Sequence, residues 1–294
     1  MRKTTLVAAG AALVLTLTAC SGNSATGTAE PAAAGGQSQS AGLASPFTDA
    51  IQLASASKQN TVKSKSAKFT MEGSAAGQTL SATGAMAMDE TDTRFSMTST
   101  AAGQTTEMRL VDKVMYIKLP AEEQKQLGTD KGWAKIAADG NDPFSQALGG
   151  ALSQSAEQSD PSKMLDQISK AGRIISSDQT ELNGEKVNHY KVELDVAKAV
   201  DQFTGQVPAA ARDKLTDMLK GKDVKLPAEL WLNKDNLPVQ VTMDQGPMMQ
   251  ALGAPAGDAK FTMKYSDWGT QVDVTAPPAD QVVDLGELMK KAGR

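Results

Sequence analysis

The sequence predicts an α+β domain built on an antiparallel sheet of about ten strands, with short helices covering one face. After residue 46, apolar and polar residues alternate with period two over most of the chain, as in strands with one buried face. Short polar turns separate these stretches, and Asn183-Gly184 is typical of a tight hairpin. Two Asp-Pro pairs in the middle of the chain indicate helix starts.

The first 19 residues are typical of an export signal. A basic opening, Met1-Arg2-Lys3, precedes an apolar run that is too short for an ordinary spanning helix. The run ends at Leu17-Thr18-Ala19-Cys20, which has the form of a lipobox. A plain secretory signal followed by a free cysteine is the alternative, but it would need a small residue where Leu17 stands. We therefore expect a lipoprotein signal peptide over 1–19 and a covalent diacylglyceryl and acyl lipid, such as palmitate, on Cys20.

Residues 20–46 are expected to form a disordered tether that starts at the lipidated cysteine. They are rich in Gly, Ser, Ala, Thr and Pro and carry one charge, Glu30, so they cannot bury enough apolar surface to fold. A flexible coil of this length spans roughly 25–30 Å. This organisation predicts one domain over 47–294, held at the extracytoplasmic face of the cell membrane by its lipid anchor.

The strands follow in two groups. The first is predicted at Ala67–Met71, Leu80–Met88, Phe95–Met97, Met108–Leu110 and Met115–Leu119. The second is predicted at Ile174–Leu182 with Glu185–Leu194, at Leu230–Asn233 with Pro238–Asp244, and at Phe261–Tyr265.

Helices are predicted after Asp142-Pro143 and Asp160-Pro161, where an acid stands before a proline at the first helical position. Further helices are predicted at Val196–Phe203, Ala209–Leu219 and Asp284–Lys291. Short amphipathic helices must bury their apolar faces, and the apolar face of the sheet is the available surface.

The residue types present exclude several kinds of chemistry. One cysteine rules out an internal disulfide and Cys-rich metal sites, and one histidine rules out sites with two imidazoles. His189 shares strand parity with Lys191 and Glu193, so we expect it to face water. The net charge of −4 argues against nucleic acid as a partner.

Two acidic stretches have structural explanations. The pair Glu122-Glu123 beside Lys125 is interpreted as a solvated turn, and Asp139-Gly140-Asn141-Asp142 as a helix-capping turn. We predict no catalytic residue, no metal site and no cofactor other than the lipid on Cys20, and we do not expect an enzyme.

Methionine is concentrated on the apolar side of the predicted strands. Because its side chain is unbranched and polarizable, a surface rich in methionine can adapt to ligands of varied shape. Ordinary core filling under the helices is the other interpretation. The candidate lining of a ligand cavity is Phe69, Met71, Met86, Met88, Phe95, Met97, Met115 and Ile117.

Several features together resemble a known family. They are the lipobox, the polar tether, the Pro-Ala-Glu-Leu-Trp-Leu-Asn-Lys-Asp-Asn-Leu-Pro-Val stretch at 227–239, and the ending from Val274 to Asp284. The chain resembles the actinobacterial LppX/LprG-type lipoproteins and, more distantly, the LolA/LolB-like carriers. Strand parity leaves open whether Trp231, in the middle of that stretch, faces the cavity.

The resemblance implies a strongly curved sheet, a half-barrel, whose concave face is covered by helices that enclose a cavity for acyl chains. It implies a membrane-anchored lipoprotein that binds a lipid or glycolipid and carries or presents it, with an envelope transporter as a further partner. The alternative is a non-enzymatic lipoprotein with a filled core that senses or binds a protein or peptide.

Overall fold

A computed structural model of the chain describes residues 43–75, 77–88, 93–137, 161–198, 217–219, 221–253 and 259–291. The predicted signal peptide, Cys20, most of the tether and the predicted helix after Pro143 lie outside these residues, as do most of the helices predicted at 196–203 and 209–219. Residues Ser40–Arg294 form one compact unit.

Twelve strands form one sheet in the described chain. They are β1 (Ser66–Ala75), β2 (Gln78–Met88), β3 (Thr93–Ala101), β4 (Gln104–Val111), β5 (Val114–Lys118), β6 (Trp133–Ala137), β7 (Gly172–Leu182), β8 (Glu185–Asp195), β9 (Lys225–Leu232), β10 (Pro238–Asp244), β11 (Lys260–Ser266) and β12 (Val282–Asp284). The spatial order is β12-β6-β5-β4-β3-β2-β1-β11-β10-β9-β8-β7, and among the described residues β12 and β7 are the two open edges.

The sheet is antiparallel throughout except that β12 lies parallel to β6. The predicted α+β class and all ten predicted strands are confirmed. The sequence missed β6 because its apolar residues lie on both faces, with Trp133 and Ala134 both buried, and it missed β12 because that strand has only three residues. The Asn183-Gly184 hairpin joins β7 to β8, and both residues have the positive φ that a type I′ turn requires.

Five helices and one 3-10 turn lie in the described chain, and residues 196–198 and 217–219 are also helical. The helices are α1 (Ala50–Ser64), α2 (Ala121–Leu127), α3 (Pro161–Ala171), α4 (Gly246–Ala251) and α5 (Leu285–Lys291), and the 3-10 turn is Ala279–Gln281. Helix α3 begins at Pro161, as the sequence predicts, and α5 begins at Leu285, one residue after the predicted start at Asp284. The sequence analysis did not predict α1, although Asp49 caps it by accepting a hydrogen bond from the backbone N–H of Gln52 at 2.9 Å.

The core lies between one face of the sheet and the helices α1 and α3. Leu53 of α1 and Leu165 and Ile168 of α3 are fully buried against strand residues such as Phe69 and Tyr190. We call this face of the sheet the inner face and the opposite one the outer face.

Candidate functional site

All eight candidate cavity residues lie on the inner face. The strand register pairs Met86 with Phe95, Met71 with Ala82, and Leu110 with Met115, so that the apolar side chains of neighbouring strands stand side by side. The eight are Phe69, Met71, Met86, Met88, Phe95, Met97, Met115 and Ile117, and every one belongs to the core cluster or packs against it.

Two apolar rows cross the sheet on this face. One row runs through Ala67, Met86, Phe95, Leu110, Met115 and Ile136 on successive strands from β1 to β6. The second runs through Tyr265, Phe69, Gly84, Met97, Met108, Ile117 and Ala134, from β11 to β6. With strands about 4.8 Å apart, each row forms an apolar track more than 20 Å long.

The exposure of the candidates differs along the rows. Met86 is 1% exposed, and Phe69, Phe95 and Met115 are almost as deeply buried. Met71, Met108, Leu110 and Ile117 are only partly buried and pack at the margin of the core. The inner face is therefore covered unevenly, with partly buried residues on β1, β4 and β5.

Two glycines in the central strands lie beneath aromatic rings. A Cβ added at Gly84 would lie 2.5 Å from Cζ of Phe69, and one at Gly73 would lie 2.5 Å from Cδ1 of Phe261. Glycine inside a strand permits a sharp bend and a close approach of the ring to the backbone. The Phe69–Gly84 pair joins β1 to β2, and the Gly73–Phe261 pair joins β1 to β11. A sheet that curves around a cavity would need to bend at these central strands.

The described chain begins with a stretch fastened to the sheet. The Ala44 carbonyl accepts hydrogen bonds from the side-chain amides of Gln179 (2.9 Å) and Asn188 (3.0 Å). Three residues on, the Phe47 backbone N–H donates to the Tyr190 hydroxyl at 3.1 Å. The Tyr190 side chain is buried, and burial raises the pKa of its hydroxyl. Contacts to the sheet thus begin at Ala44, within the predicted tether.

On the outer face, the His189 ring lies between two carboxylates and stacks on a tryptophan. Nδ1 lies 2.9 Å from Oδ1 of Asp178, Nε2 lies 2.8 Å from Oε2 of Glu229, and the ring stacks on Trp231 with centroids 4.5 Å apart. The predicted outward direction of His189 is right, but its side chain is only 12% exposed because Trp231 covers it. Trp231 lies on the outer face, while its neighbours Leu230 and Leu232 are buried inside.

Nothing in this arrangement resembles a nucleophile and its base. The hydrogen bonds of the His189 ring join it to two carboxylates and to no hydroxyl. Among the described residues, no group of three or more His, Cys, Asp or Glu side chains could hold a metal ion.

A second charged cluster lies on the outer face of β4 to β6. Glu107 binds Arg109 at 2.8 Å and Lys118 at 3.0 Å, and the Arg109 guanidinium lies 4.7 Å from the ring centroid of Trp133. The hydrogen bond from Arg109, helped by Lys118, lowers the pKa of Glu107 against the opposing effect of its burial.

A pocket of about 550 Å³ lies next to this cluster, between the outer face and the segment after β11. Its walls include Lys68, Thr83, Ser96, Arg109 and Asp273. Arg109 also donates a hydrogen bond to the Thr275 carbonyl of that segment at 3.3 Å. Phe69, Gly84 and Met97 of the second apolar row also line this pocket, beside its polar and charged residues.

No helix in the described part of the chain is long and apolar enough to cross a membrane. Cys20, the predicted anchor site, lies outside the described residues.

Comparisons with known proteins found few relatives. No protein-family model matches the sequence. An uncharacterised 31.2 kDa protein from the rplA-rplJ intergenic region of Streptomyces griseus is 25% identical over 166 residues, which cover 55% of this chain and 51% of that protein. The chain therefore matches about half the length of this relative.

Several solved structures are similar to the chain, and two of them are LprF and MucB. The crystal structure of LprF from Mycobacterium bovis aligns with 80% of this chain and 99% of its own, with a TM-score of 0.45 and 14% identity. MucB in complex with MucA(peri) aligns with 79% of this chain and 58% of its own, with a TM-score of 0.33 and 13% identity.

Proposed function

We propose that this chain is a membrane-anchored envelope lipoprotein that binds the acyl chains of a lipid or glycolipid on the inner face and carries or presents them. The observation that carries the proposal is the pair of apolar rows, in which methionine recurs from strand to strand. The lipobox-like sequence ending at Cys20 supports membrane attachment.

The rows have the properties that an acyl site needs. They are apolar across six strands, and the flexible methionine side chains can move to admit a chain without breaking hydrogen bonds. The partly buried residues Met108, Leu110 and Ile117 supply a place where a chain can enter. The central glycines supply the bend that turns a flat sheet into the half-barrel that we propose.

The energetics favour exchange with a bilayer over permanent capture. Each methylene that leaves water gains about 0.8 kcal/mol on burial. A membrane offers the same gain, so transfer between the bilayer and the protein is nearly isoenergetic and therefore reversible. The anchor keeps the protein next to its source of ligand.

A direct binding titration tests the proposal. The full chain carrying C20A, which lacks the predicted acylation site, is titrated with the fluorescent hydrocarbon diphenylhexatriene and with cis-parinaric acid. We expect saturable fluorescence enhancement from both probes. A flat titration with both probes, from a protein shown to be folded by circular dichroism, would overturn the proposal.

One observation favours a second candidate function. Phe69, Met86, Phe95 and Met115 are at most 3% exposed, as expected of a core filled by its own side chains. A filled core would make the chain a non-enzymatic protein- or peptide-binding or sensing lipoprotein. The flat titration described above is the result that this second function predicts.

The anchor is tested separately. Wild-type chain produced in a bacterial host should fractionate with membranes and label with radioactive palmitate, whereas C20A, which has no thiol to acylate, should not label. Equal palmitate labelling of the two proteins would contradict the anchor.

A further inference from the structure

The pocket beside Arg109 contains a row of hydroxyl side chains from the outer face of the sheet. They are Thr70 on β1, Thr83 on β2, and Ser96 and Thr98 on β3. The register pairs Thr83 with both Thr70 and Thr98, so hydroxyls of three neighbouring strands stand side by side. From β1 to β4 the pocket spans three strand spacings, or about 14 Å. Its volume of about 550 Å³ is within the range of small-ligand sites.

The segment after β11 crosses the outer face at this pocket and is fastened at two points. Near β11, the Ser66 hydroxyl donates to the Thr270 carbonyl at 2.5 Å. Near β4, Arg109 donates to the Thr275 carbonyl at 3.3 Å. The segment therefore forms a fixed wall of the pocket, and Asp273 lies in it between the two points.

Arg109 is held in place and still has N–H donors for a ligand. Its guanidinium donates to Glu107 at 2.8 Å and to the Thr275 carbonyl, and it lies 4.7 Å from the ring centroid of Trp133. A guanidinium has five N–H donors, so the described residues leave three of them unused. A fixed guanidinium with spare donors suits a carboxylate, which it can bind through both oxygens.

Asp273 supplies a charge of the opposite sign. It lines the same pocket and is exposed, and among the described residues it forms no ion pair with Arg109 or with Lys68. Lys68 is instead paired with Asp267 at 2.9 Å. Because Asp273 stands two residues before Thr275, at most about 7 Å of chain separates it from the Arg109 contact. The pocket therefore holds a carboxylate without a counter-ion close to a cation with spare donors.

We propose that this pocket binds a free peptide of about two or three residues, with the peptide's C-terminal carboxylate on Arg109 and its N-terminal ammonium on Asp273. The site is separate from the proposed acyl site, and the inference does not rest on the proposed function. The threonine and serine hydroxyls can both donate and accept hydrogen bonds, as the N–H and C=O groups of a peptide require.

The charges of the pocket favour a short peptide over other polar ligands. The four charged residues that line it are Lys68, Arg109, Glu107 and Asp273, and their charges sum to zero, which matches a zwitterion. A single amino acid carries its two charges on one carbon atom, so it cannot span the separation between the two side chains. A neutral sugar would suit the hydroxyls but would give neither Arg109 nor Asp273 a counter-ion.

The test measures peptide affinity by chemical-shift titration of the full, isotopically labelled chain carrying C20A. The probes are trialanine, N-acetyl-trialanine, which lacks the ammonium, and trialanine amide, which lacks the carboxylate. The variant is D273N. D280N is the matched control, because Asp280 is exposed further along the same segment and does not line the pocket.

We expect saturable binding of trialanine, with shifts at the backbone amides of Thr83 and Ser96. D273N should weaken trialanine binding roughly tenfold and leave N-acetyl-trialanine binding unchanged, because only the first probe carries the ammonium. D280N should leave both affinities unchanged. Trialanine amide should bind the parent chain roughly tenfold more weakly than trialanine does.

A second variant tests the location independently of charge. Thr98 is an exposed side chain that lines the pocket, so T98W should fill the space and abolish trialanine binding. Ser81 is exposed on the outer face of β2 outside the pocket, and S81W should bind trialanine as the parent chain does.

Three results would overturn the inference. No saturable binding of trialanine by the parent chain would refute the peptide site and leave the proposed acyl site standing. The same trialanine affinity in D273N and D280N would refute the contact to the ammonium. Tighter binding of maltotriose than of trialanine would assign the pocket to a neutral sugar.

Discussion

The aromatic ring of Phe69 lies directly over Gly84 of the neighbouring strand. The two residues are paired in register across β1 and β2, and a Cβ at position 84 would collide with the ring and with the Ser96 carbonyl. Phe69 is 2% exposed at the centre of the inner face. Because Gly84 has no side chain, the Phe69 ring can lie close to the backbone of the sheet.

Replacing this glycine should destabilise the domain. We expect G84A to cost about 1–3 kcal/mol of unfolding free energy, because the added methyl overpacks the site and displaces Phe69. Urea unfolding followed by circular dichroism measures the change. G132A is the control, since a Cβ there meets nothing closer than 3.9 Å; equal stability of the two variants would contradict this reading of the contact.

A negative charge on the inner face should abolish lipid uptake. Met108 is partly buried beside Met97, so M108E can keep its carboxylate at the margin of the core and still fold. We expect diphenylhexatriene enhancement to fall at least tenfold, because a charge in an apolar site opposes burial of the probe.

The matched control for that charge is T83E. Thr83 is exposed on the outer face and is paired with the uncharged Thr70 and Thr98. The T83E variant should bind diphenylhexatriene as the wild-type chain does. Uptake lost equally in both variants, or in neither, would argue against a site on the inner face.

Replacing Trp231 should lower the stability of the fold and leave ligand affinity unchanged. Its stacking on His189 holds that ring between Asp178 and Glu229, so W231A should lose about 1–3 kcal/mol of unfolding free energy. Its probe affinity should stay at the wild-type value, because the side chain lies on the outer face. A folded W231A that no longer binds the probe would instead place this tryptophan in the ligand site.

Acid should weaken the fold through Glu107. The pKa of Glu107 in the folded chain lies below its usual value of 4.5, first because of the hydrogen bond from Arg109. Between the folded and the unfolded pKa, the unfolded chain binds more protons at Glu107 than the folded chain does. The contribution of Glu107 to the free energy of unfolding is therefore complete above about pH 4.5 and is lost as the pH falls through the lower folded pKa.

Thermal midpoints measured between pH 6 and pH 3 check this. E107Q should be less stable than the wild type at pH 6 and should lose less stability on acidification. Asp195, whose pKa is lowered by its hydrogen bond from Lys225, should behave in the same way in D195N. Parallel curves for the wild type and E107Q would contradict the assignment.

The sequence predicted the strands well because one face is buried. Period-two alternation persists through β2 and β8, so their inner residues could be named without a structure. The alternation showed, strand by strand, which residues share a face. The pairing between strands in the structure places all eight candidate residues on the same face of the sheet.

Other features left weaker signals. The buried stripe of α1 consists mostly of Ala, Ser and Thr, so its apolar period is faint; the usable signal was Asp49 followed three residues later by Gln52. The direction of Trp231 needed the register of β9 with β8, because apolar residues flank it on both sides.

Native mass spectrometry with organic extraction tests the central claim most directly. The full chain carrying C20A is purified without detergent from a bacterial host that contains membranes, so that any bound lipid comes from that host. We expect a population with added mass that extracts as acyl lipid, and a clean apo mass after extraction. A single apo mass before extraction, with no lipid taken up on later incubation with phospholipid vesicles, would contradict the claim.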